Sequence, residues 1–200
     1  MTLSTNAEAI LSVYKLATVS EQQHGVTWYP QARSIAQGIA SRYGIHEAEA
    51  AGVIAALSPR NKWERNVIDA ENLVAAFVAG GAEAAEAVKV CTFGKNKAKA
   101  IRVLQVGVLT DADVLEILSG PKLREFYSCI RGLAEVCIDG HAYSIWTGGR
   151  IPLAEVPSIG VKLRRQIKAD YVAAADQVGV TPSAMQAITW VAWRRIHGVA

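Results

Sequence analysis

The sequence predicts an all-α protein. Hydrophobic residues make up 51% of the chain and charged residues only 20%, which is typical of a compact protein rather than a disordered one. Nearly every segment between the turns has the residue pattern of a helix, and no segment has a convincing β-strand pattern. A chain of 200 residues is long enough to bury a core without disulfide bonds, as one domain or as two small lobes.

Prolines, glycines and capping residues mark the ends of the predicted helices. Pro30 lies near the start of one helix, and Gly44 follows its end. Residues 48–57 are apolar all round, as in a buried helix, and this helix ends before Pro59 because the residue before a proline is pushed out of helical geometry. In order, the predicted helices are 6–18, 30–43, 48–57, 63–79, 82–90, 97–106, 111–118, 123–131, 162–178 and 182–197, with loops at 94–96, 119–121 and 150–160 and a further helix-like segment after Asp139.

The composition excludes several classes of protein. No apolar run approaches the ~20 residues of a membrane span, and the first fourteen residues carry no Lys or Arg, so they do not form a signal peptide. The cysteines Cys91, Cys129 and Cys137 form no Cys-x-x-Cys pair, which predicts reduced, buried thiols in a cytoplasm-like compartment. We therefore expect no iron–sulfur cluster, no metal and no other cofactor.

Positive charge is clustered on a chain whose net charge is only +3. Residues 95–102 contain four basic residues and no acid, and residues 139–200 contain seven basic residues against four acids. Such clusters fit a surface that binds a polyanion. The alternative is that these lysines and arginines only cover solvated helix faces.

The segment around Asp139 carries the strongest sign of chemistry. Asp139 directly follows the apolar run 136–138, and Gly140 and His141 come next at the start of a helix-like segment. A carboxylate in this position has two possible roles. It can cap the helix through its side-chain oxygens, or it can act as a reactive group at the mouth of a cleft.

Three other segments have residue types that grip nucleic acids. The turn 57–66 combines Arg, Asn and Trp, which contact base edges, phosphates and rings, although a plain helix boundary would also explain it. Segment 94–99 is rich in lysine but lacks the spacing of a phosphate loop. Segment 186–195 places four such side chains near one helical face, Gln186, Trp190, Trp193 and Arg194, where the alternative is two core tryptophans beside surface arginines.

The fourth such segment, 118–127, has the pattern of two helices joined by a short glycine turn. In their order along the chain, these parts resemble the helix-hairpin-helix DNA glycosylase superfamily, the group of endonuclease III and adenine glycosylase. In that family a hairpin shortly precedes a Val-Asp-Thr-His-like segment with the catalytic aspartate. Here Gly120 precedes Asp139 by 19 residues, and Ile-Asp-Gly-His occupies 138–141. The Leu-Ser-Pro-Arg turn at 57–60 is similar to the family's Leu-Ser-x-Gln turn, which reaches into DNA.

The resemblance covers residues 48–147 and implies a single two-lobed domain over residues 1–200 with a central cleft. Residues 1–47 and 148–200 would pack as the second lobe. The chain also looks like small phage-encoded relatives of this superfamily, some of which are proposed to build hypermodified thymines, the α-glutamyl/putrescinyl thymine pyrophosphorylase type. That origin would place the protein in the cytoplasm of a host cell.

The hairpin departs from the family pattern in two ways. The second hairpin glycine is replaced by Lys122, after Pro121, and proline offers no N–H to a phosphate. Arg124 falls where the bifunctional glycosylases have their nucleophilic lysine. Because arginine stays protonated in proteins, it cannot attack as a free amine. We therefore expect an Asp-centred site without a Schiff-base lysine, unless Lys122 takes that role.

The resemblance assigns candidate roles to particular residues. The candidate catalytic residues are Asp139 and Lys122. The candidate substrate- and DNA-binding residues are Arg60, Asn61, Trp63, Lys95, Lys97, Arg124, His141, Trp190 and Arg194.

Three functions remain open from the sequence. The first is an enzyme that excises a base flipped out of double-stranded DNA. The second is a transferase on the same fold that attacks an activated hydroxymethyl-pyrimidine at its exocyclic carbon, with Asp139 deprotonating an incoming amine and basic residues binding the leaving pyrophosphate. The third is a DNA-binding module without catalysis. The base or lesion recognised lies beyond the sequence.

Overall fold

Helices are the regular secondary structure of the part of the chain that the structure describes. The computed structural model describes residues 3–107 and 110–198, and within these ranges it contains ten helices and no β-strand, which confirms the all-α prediction. The helices are α1 (Thr5–Leu16), α2 (Val19–Tyr43), α3 (Glu47–Leu57), α4 (Trp63–Ala87), α5 (Gly94–Val106), α6 (Asp111–Ile117), α7 (Pro121–Ile130), α8 (Gly140–Thr147), α9 (Val161–Val178) and α10 (Pro182–His197).

The helices belong to two compact units. The first unit comprises Met1–Gln31 and Gly132–Ala200, and the second comprises Ala32–Arg131. The first unit therefore holds α1, α8, α9 and α10, and the second holds α3 to α7. Helix α2 supplies residues to both units.

The first unit has a core of aliphatic and aromatic side chains. Helices α1, α8, α9 and α10 pack against one another around this core. Its fully buried members include Ile10, Ile145, Ile167, Tyr171, Met185 and Ile188. Ser4, Asp139 and Thr181 cap α1, α8 and α10 through side-chain oxygens, and each such cap stabilises its helix by about 1 kcal/mol.

The second unit is built around α3. Every residue of this helix from Ala48 to Leu57 is buried, and α4, α5, α6 and α7 all pack against it. Gly52 permits a close approach of two of these helices. A Cβ at Gly52 would lie 2.9 Å from Cγ1 of Val114 on α6 and 3.1 Å from Cγ1 of Val103 on α5, so a side chain here would force these valines to shift.

A charged network also stabilises the second unit. The Arg131 guanidinium contacts Glu47 and lies 2.7 Å from Asp111, and Glu47 also accepts from Arg33 at 2.8 Å. Burial acts to raise the pKa of each carboxyl group. The hydrogen bonds from the arginines outweigh it, and they hold the pKa of both Glu47 and Asp111 below the usual range.

Most predicted helices are confirmed to within a few residues, but two helix starts were wrong. Helix α2 begins at Val19, eleven residues before the predicted start at residue 30, and it runs through Pro30. The reason is a capping box: the Glu21 N–H donates to Thr18 Oγ1, and the Thr18 N–H donates to Glu21 Oε2. The predicted loop at 94–96 was also wrong, because α5 begins at Gly94. There the Phe93 carbonyl accepts from the N–H groups of Asn96 and Lys97.

The predicted break at Gly80 and Gly81 is confirmed. Both glycines have non-helical backbone angles and divide α4 into two helical pieces. Gly81 has φ of 68°, a value that favours glycine because it has no Cβ.

Gly25 and Gly38 give a matched test of packing on α2. A Cβ at Gly25 would lie 2.5 Å from backbone atoms of Ile188, whereas a Cβ at Gly38 would have nothing within 4 Å. We expect Gly38→Ala to raise the free energy of unfolding by ~0.5–1 kcal/mol through helix propensity. We expect Gly25→Ala to lower it by ~1–3 kcal/mol because the α10 backbone must move. Chemical denaturation measures both. Equal stabilisation by the two variants would contradict the close crossing of α2 and α10.

The Arg131 network predicts a component of acid sensitivity. Because the pKa values of Glu47 and Asp111 are lowered on folding, their stabilisation is present above the unfolded pKa near ~4 and is lost as the pH falls through the lower folded pKa. We expect Arg131→Met to weaken the fall in unfolding free energy below about pH 5. Denaturant titrations across this range test it, with Arg165→Met, an exposed arginine, as the control. An unchanged pH dependence in Arg131→Met would refute the network's role.

Candidate functional site

Asp139 lies at the start of α8 and caps this helix. Its backbone is extended (φ −111°, ψ −173°), and its Oδ1 accepts a hydrogen bond from the Ala142 N–H at 2.9 Å. The capping role is therefore confirmed. This bond satisfies one of the N–H groups that a helix start leaves unpaired, and it fixes the orientation of the carboxylate without engaging Oδ2. Asp139 is half-buried, so capping is compatible with chemistry at the second oxygen.

The apolar run before Asp139 is buried and holds it in position. Val136, Cys137 and Ile138 are at most 5% exposed. The Ile138 carbonyl accepts a hydrogen bond from Nη1 of Arg164, on α9, at 2.9 Å. Because a buried carbonyl requires a donor, this arginine fixes the backbone immediately before the carboxylate.

Helix α8 is in turn tied to the core of the first unit. Trp146 Nε1 donates to Asp170 Oδ2 at 2.7 Å, and the hydroxyl of buried Tyr171 lies 3.4 Å from the Ala142 carbonyl. Burial, and to a smaller extent the negative charge of Asp139, raise the pKa of the Tyr171 phenol above its usual range. The Tyr171 phenol therefore stays neutral. His141, on the first turn of α8, is half-buried.

In the second unit, two cations gather at one exposed aromatic ring. The Arg60 guanidinium carbon lies 5.0 Å from the centre of the Phe93 ring, and Lys95 Nζ lies 5.9 Å from it. Phe93 is 44% exposed. We call Arg60, Phe93 and Lys95 the Phe93 cluster. Like charges repel, so their gathering at one ring favours the binding of an anion.

The backbone at Arg60 is strained. Its φ is 59°, and among the described residues it is the one non-glycine residue with a positive φ. This left-handed conformation costs an L-residue ~1–2 kcal/mol. Two hydrogen bonds hold the turn in this conformation. The Asn61 N–H donates to the Ser58 carbonyl, and Thr92 Oγ1 donates to the Pro59 carbonyl at 2.9 Å. In this backbone conformation the Arg60 guanidinium lies over the Phe93 ring.

Asp69, on α4, joins this turn to the loop before α5. It is fully buried, and its carboxylate accepts from Arg65 Nε at 2.7 Å, Asn61 Nδ2 at 3.0 Å and the Cys91 N–H at 2.7 Å. Asn61 thus links Asp69 to the end of α3, where its Nδ2 also lies 3.5 Å from the Leu57 carbonyl. The thiols of Cys129 and Cys137 are buried as predicted, but Cys91 is exposed, because its backbone and not its side chain meets Asp69.

The lysines of α5 have different surroundings. Lys95 is exposed beside the uncapped helix start at Gly94, where the first N–H groups and the helix dipole favour an anion. Lys97, predicted to hold phosphate, instead contacts the carbonyl and carboxylate of Glu86, and its side chain is 13% exposed. Lys99 Nζ donates to the Ser119 carbonyl at 3.1 Å. Only Lys95 of these three therefore belongs to the Phe93 cluster.

A short turn joins α6 to α7, where the sequence predicts a turn at 119–121. Gly120 has φ of 104°, and Pro121 occupies the first position of α7, where a missing N–H is tolerated. Lys122 and Arg124 are both exposed on the first turn of α7. Trp63, at the start of α4, is half-buried, and its ring meets that of Phe126 edge to face at 6.4 Å. Trp63 thus has a packing role in the second unit.

Trp190 and Arg194 lie together on α10 in the first unit. The Arg194 guanidinium carbon is 4.4 Å from the centre of the Trp190 ring, and Trp28 meets the same ring edge to face at 6.4 Å. Trp190 and Arg194 line an open groove of about 460 Å³. His24 and the ion pair of Glu21 and Arg195 complete its lining. Arg195, through its hydrogen bonds, holds the pKa of Glu21 at about 2.

The structure thus distributes the predicted residues between the two units. Asp139, His141, Trp190 and Arg194 belong to the first unit, and Arg60, Asn61, Trp63, Lys95, Lys97, Lys122 and Arg124 belong to the second. Phe93 and Asp69 were missed. Phe93 had a signal in the sequence, as an aromatic residue directly before Gly-Lys. Asp69 had a local signal only in Arg65, four residues earlier on α4, since its partner Cys91 is 22 residues away.

Two kinds of feature are absent from the part of the chain that the structure describes. No group of three or more His, Cys, Asp or Glu side chains is placed to hold a metal ion. No helix there combines the length and apolar character needed to cross a membrane.

Comparison with known proteins gives one match. The model of a family of unknown function, DUF7178, matches residues 1–197. No curated protein and no solved structure matches the chain.

Asp69 offers a test of how the Phe93 cluster is positioned. In Asp69→Asn one amide hydrogen must face a donor, so we expect a loss of ~1–3 kcal/mol of stability and faster hydrogen exchange at the Cys91 amide. Exchange mass spectrometry of the segment 89–95 measures the second effect. Glu64→Gln, an exposed carboxylate change on the same helix, serves as the control and should leave exchange unchanged. Equal exchange in Asp69→Asn and Glu64→Gln would show that Asp69 does not hold the loop.

Proposed function

Since the chain belongs to the DUF7178 family, whose function is unknown, we propose a function from its own residues: it is a DNA-binding enzyme that acts on a nucleobase. In this proposal the fold is a helix-hairpin-helix, glycosylase-like one. The observation that carries the proposal is Asp139, a half-buried carboxylate oriented through Oδ1 by the first turn of α8.

The geometry of Asp139 suits the cleavage of a glycosidic bond. As such a bond breaks, positive charge develops on the sugar ring, and a fixed carboxylate nearby lowers the energy of that cation. The Ala142 N–H holds Oδ1, so we assign Oδ2 to the sugar and to the attacking water. A preorganised carboxylate does not have to reorient during the reaction, which is the source of its catalytic value.

The residues at the hairpin argue against a covalent amine mechanism. Arg124 is exposed on α7 where a nucleophilic lysine would be required, and arginine has no amine that can attack. We assign Arg124 and Lys122 to contacts with DNA phosphate. Hydrolysis by water, with Asp139 as the central group, is the chemistry that these residues favour.

The Phe93 cluster supports a nucleic acid as the partner. Arg60 and Lys95 provide charge for phosphates, and the exposed Phe93 ring offers a face for base stacking. The uncapped start of α5 adds backbone N–H groups that favour an anion. A binding face of this composition predicts affinity that falls steeply with salt.

A second candidate function is a base-modifying transferase on the same scaffold. The observation that favours it is Pro121 at the first position of α7, because a proline removes an N–H from the hairpin's phosphate grip. In this alternative Asp139 deprotonates an incoming amine, and the amine displaces pyrophosphate from an activated hydroxymethyl-pyrimidine. The glycosidic bond then stays intact.

Asp139→Asn separates catalysis from capping. Asparagine caps a helix about as well as aspartate, so we expect the stability of this variant to stay within ~0.5 kcal/mol of the wild type while base release falls about 100-fold or more. The assay incubates the protein with duplexes that carry hydroxymethyluracil or common lesions and measures free base by mass spectrometry. Asp176→Asn, an exposed carboxylate change on α9, is the matched control and should retain full activity.

The same reaction mixtures distinguish the alternatives. A gain of mass on the base, when an amine donor and a pyrophosphorylated duplex are supplied, would identify the transferase. Salt-dependent DNA binding with neither product, and with no change in Asp139→Asn, would leave a binding module. Absence of DNA binding at low salt would refute the proposal.

A further inference from the structure

The groove lined by Trp190 and Arg194 lies between α10 and the first turns of α2, within the first unit, and its walls are fixed. Beside it the two backbones nearly touch, since a Cβ built on Gly25 would lie 2.5 Å from the backbone nitrogen of Ile188. Arg195 also joins the helices, because its Nε donates to Glu21 at 2.6 Å. A groove held in this way is formed before a ligand arrives, so binding does not have to order its walls.

The lining of this groove combines apolar surface with an excess of positive charge. Trp190 and Val191 supply an aromatic and an aliphatic surface, and the volume of about 460 Å³ lies in the range of small-molecule sites. The charged residues of the lining are Arg194, Arg195 and Glu21, two cations against one anion. Because Arg195 balances the charge of Glu21, the lining as a whole favours an anion.

Trp190 sets the position of the Arg194 guanidinium. The guanidinium carbon lies 4.4 Å from the centre of the Trp190 ring, and Trp28 meets the same ring edge to face. The guanidinium is planar, and its N–H donors lie in its plane, where they match two oxygens of a carboxylate, sulfonate or phosphate. An arginine that an aromatic ring already holds loses less conformational freedom when it binds such a group.

We propose that this groove binds a small organic anion, with its oxyanion on Arg194 and its apolar body against Trp190 and Val191. The apolar lining favours a body that leaves water, and the guanidinium favours a charged head group over a neutral one. Asp139 and the Phe93 cluster are not among the described residues that line the groove. This inference therefore stands independently of the proposed function.

Two dyes with the same aromatic body test the requirement for charge. 8-Anilinonaphthalene-1-sulfonate is an anion, and N-phenyl-1-naphthylamine lacks the sulfonate. Each is titrated into the full-length protein, and its fluorescence gives a Kd. We expect Arg194→Met to weaken binding of the anionic dye about 10-fold or more, the effect of losing one charge-assisted hydrogen bond, and to leave the neutral dye within about 2-fold. Arg165→Met, at an exposed arginine of α9, is the matched control and should change neither Kd.

Arg194→Lys keeps the charge without the planar donors and should give an intermediate Kd for the anionic dye. This milder variant carries the test if Arg194→Met proves unstable in chemical denaturation. Equal weakening of both dyes, or unchanged binding of the anionic dye in both variants, would overturn the proposal.

A spectroscopic readout at Trp190 locates the bound dye. The protein is labelled with 5-fluorotryptophan, and Trp190→Phe identifies the fluorine resonance of residue 190. We expect the anionic dye to shift this resonance and to leave that of Trp63, in the second unit, unchanged. A shift at Trp63 without one at Trp190 would place the dye elsewhere and overturn the proposal.

Displacement of the anionic dye identifies the class of ligand. 1-Naphthoate and 1-naphthyl phosphate distinguish a carboxylate from a phosphate, and displacement by either supports the proposal. A short DNA duplex is the rival occupant, since the sequence predicts that Trp190 and Arg194 bind DNA. Displacement by the duplex, with neither small anion effective, would assign the groove to DNA and overturn the proposal while leaving the proposed function intact.

Discussion

The burial of α3 on every side is the constraint on which the second unit depends. A helix without a solvent-facing side can contain only residues that pack or that find partners, and Ala48–Leu57 consists of small and aliphatic side chains with one buried glutamate. Four other helices pack on it, and Gly52 sets how closely two of them approach. The Ser58–Trp63 turn continues directly from this fixed helix. Its strained backbone is therefore supported by a core that does not adjust to relieve it.

The first unit combines stability and proposed chemistry in one carboxylate. Asp139 is required locally to cap α8, and the cap is also what orients the group. The supporting contacts come from three helices: Arg164 on α9 holds the preceding backbone, Trp146 on α8 binds Asp170 on α9, and α10 supplies part of the core. A carboxylate held by its own helix and by the core behind it is positioned before any substrate arrives, which is the arrangement that electrostatic catalysis requires.

Local signals in the sequence predicted much of the fold, and the large error in one helix start came from a local signal that was missed. The starts of α6 and α10 were predictable because Thr110 and Thr181 cap them from adjacent positions. The start of α2 also had a local signal, the Thr18–Glu21 capping box, which Pro30 obscured.

The sequence also predicted only part of the candidate site. Asp139 was identifiable because it follows an apolar run and directly precedes a helix-like segment, a position where aspartate can cap the helix. The Phe93 cluster was only half identifiable, since no local pattern indicates that residue 60 meets residue 93 or that Asp69 binds both segments. For Lys97, the neighbouring residues predicted a contact with phosphate. In the structure its Nζ lies 3.5 Å from the carboxylate of Glu86, eleven residues earlier, and the two form an ion pair.

The positive φ of Arg60 lowers stability at a residue of the proposed binding face. Glycine adopts this backbone conformation without penalty, so replacing the arginine by glycine would relax the turn and would also remove the guanidinium from Phe93. A search for more stable variants of this protein would therefore favour changes at residue 60 that weaken the proposed binding face. Residue 60 is thus a position where a stability screen and a binding screen would select different amino acids, and such a disagreement would support the role proposed for the Phe93 cluster.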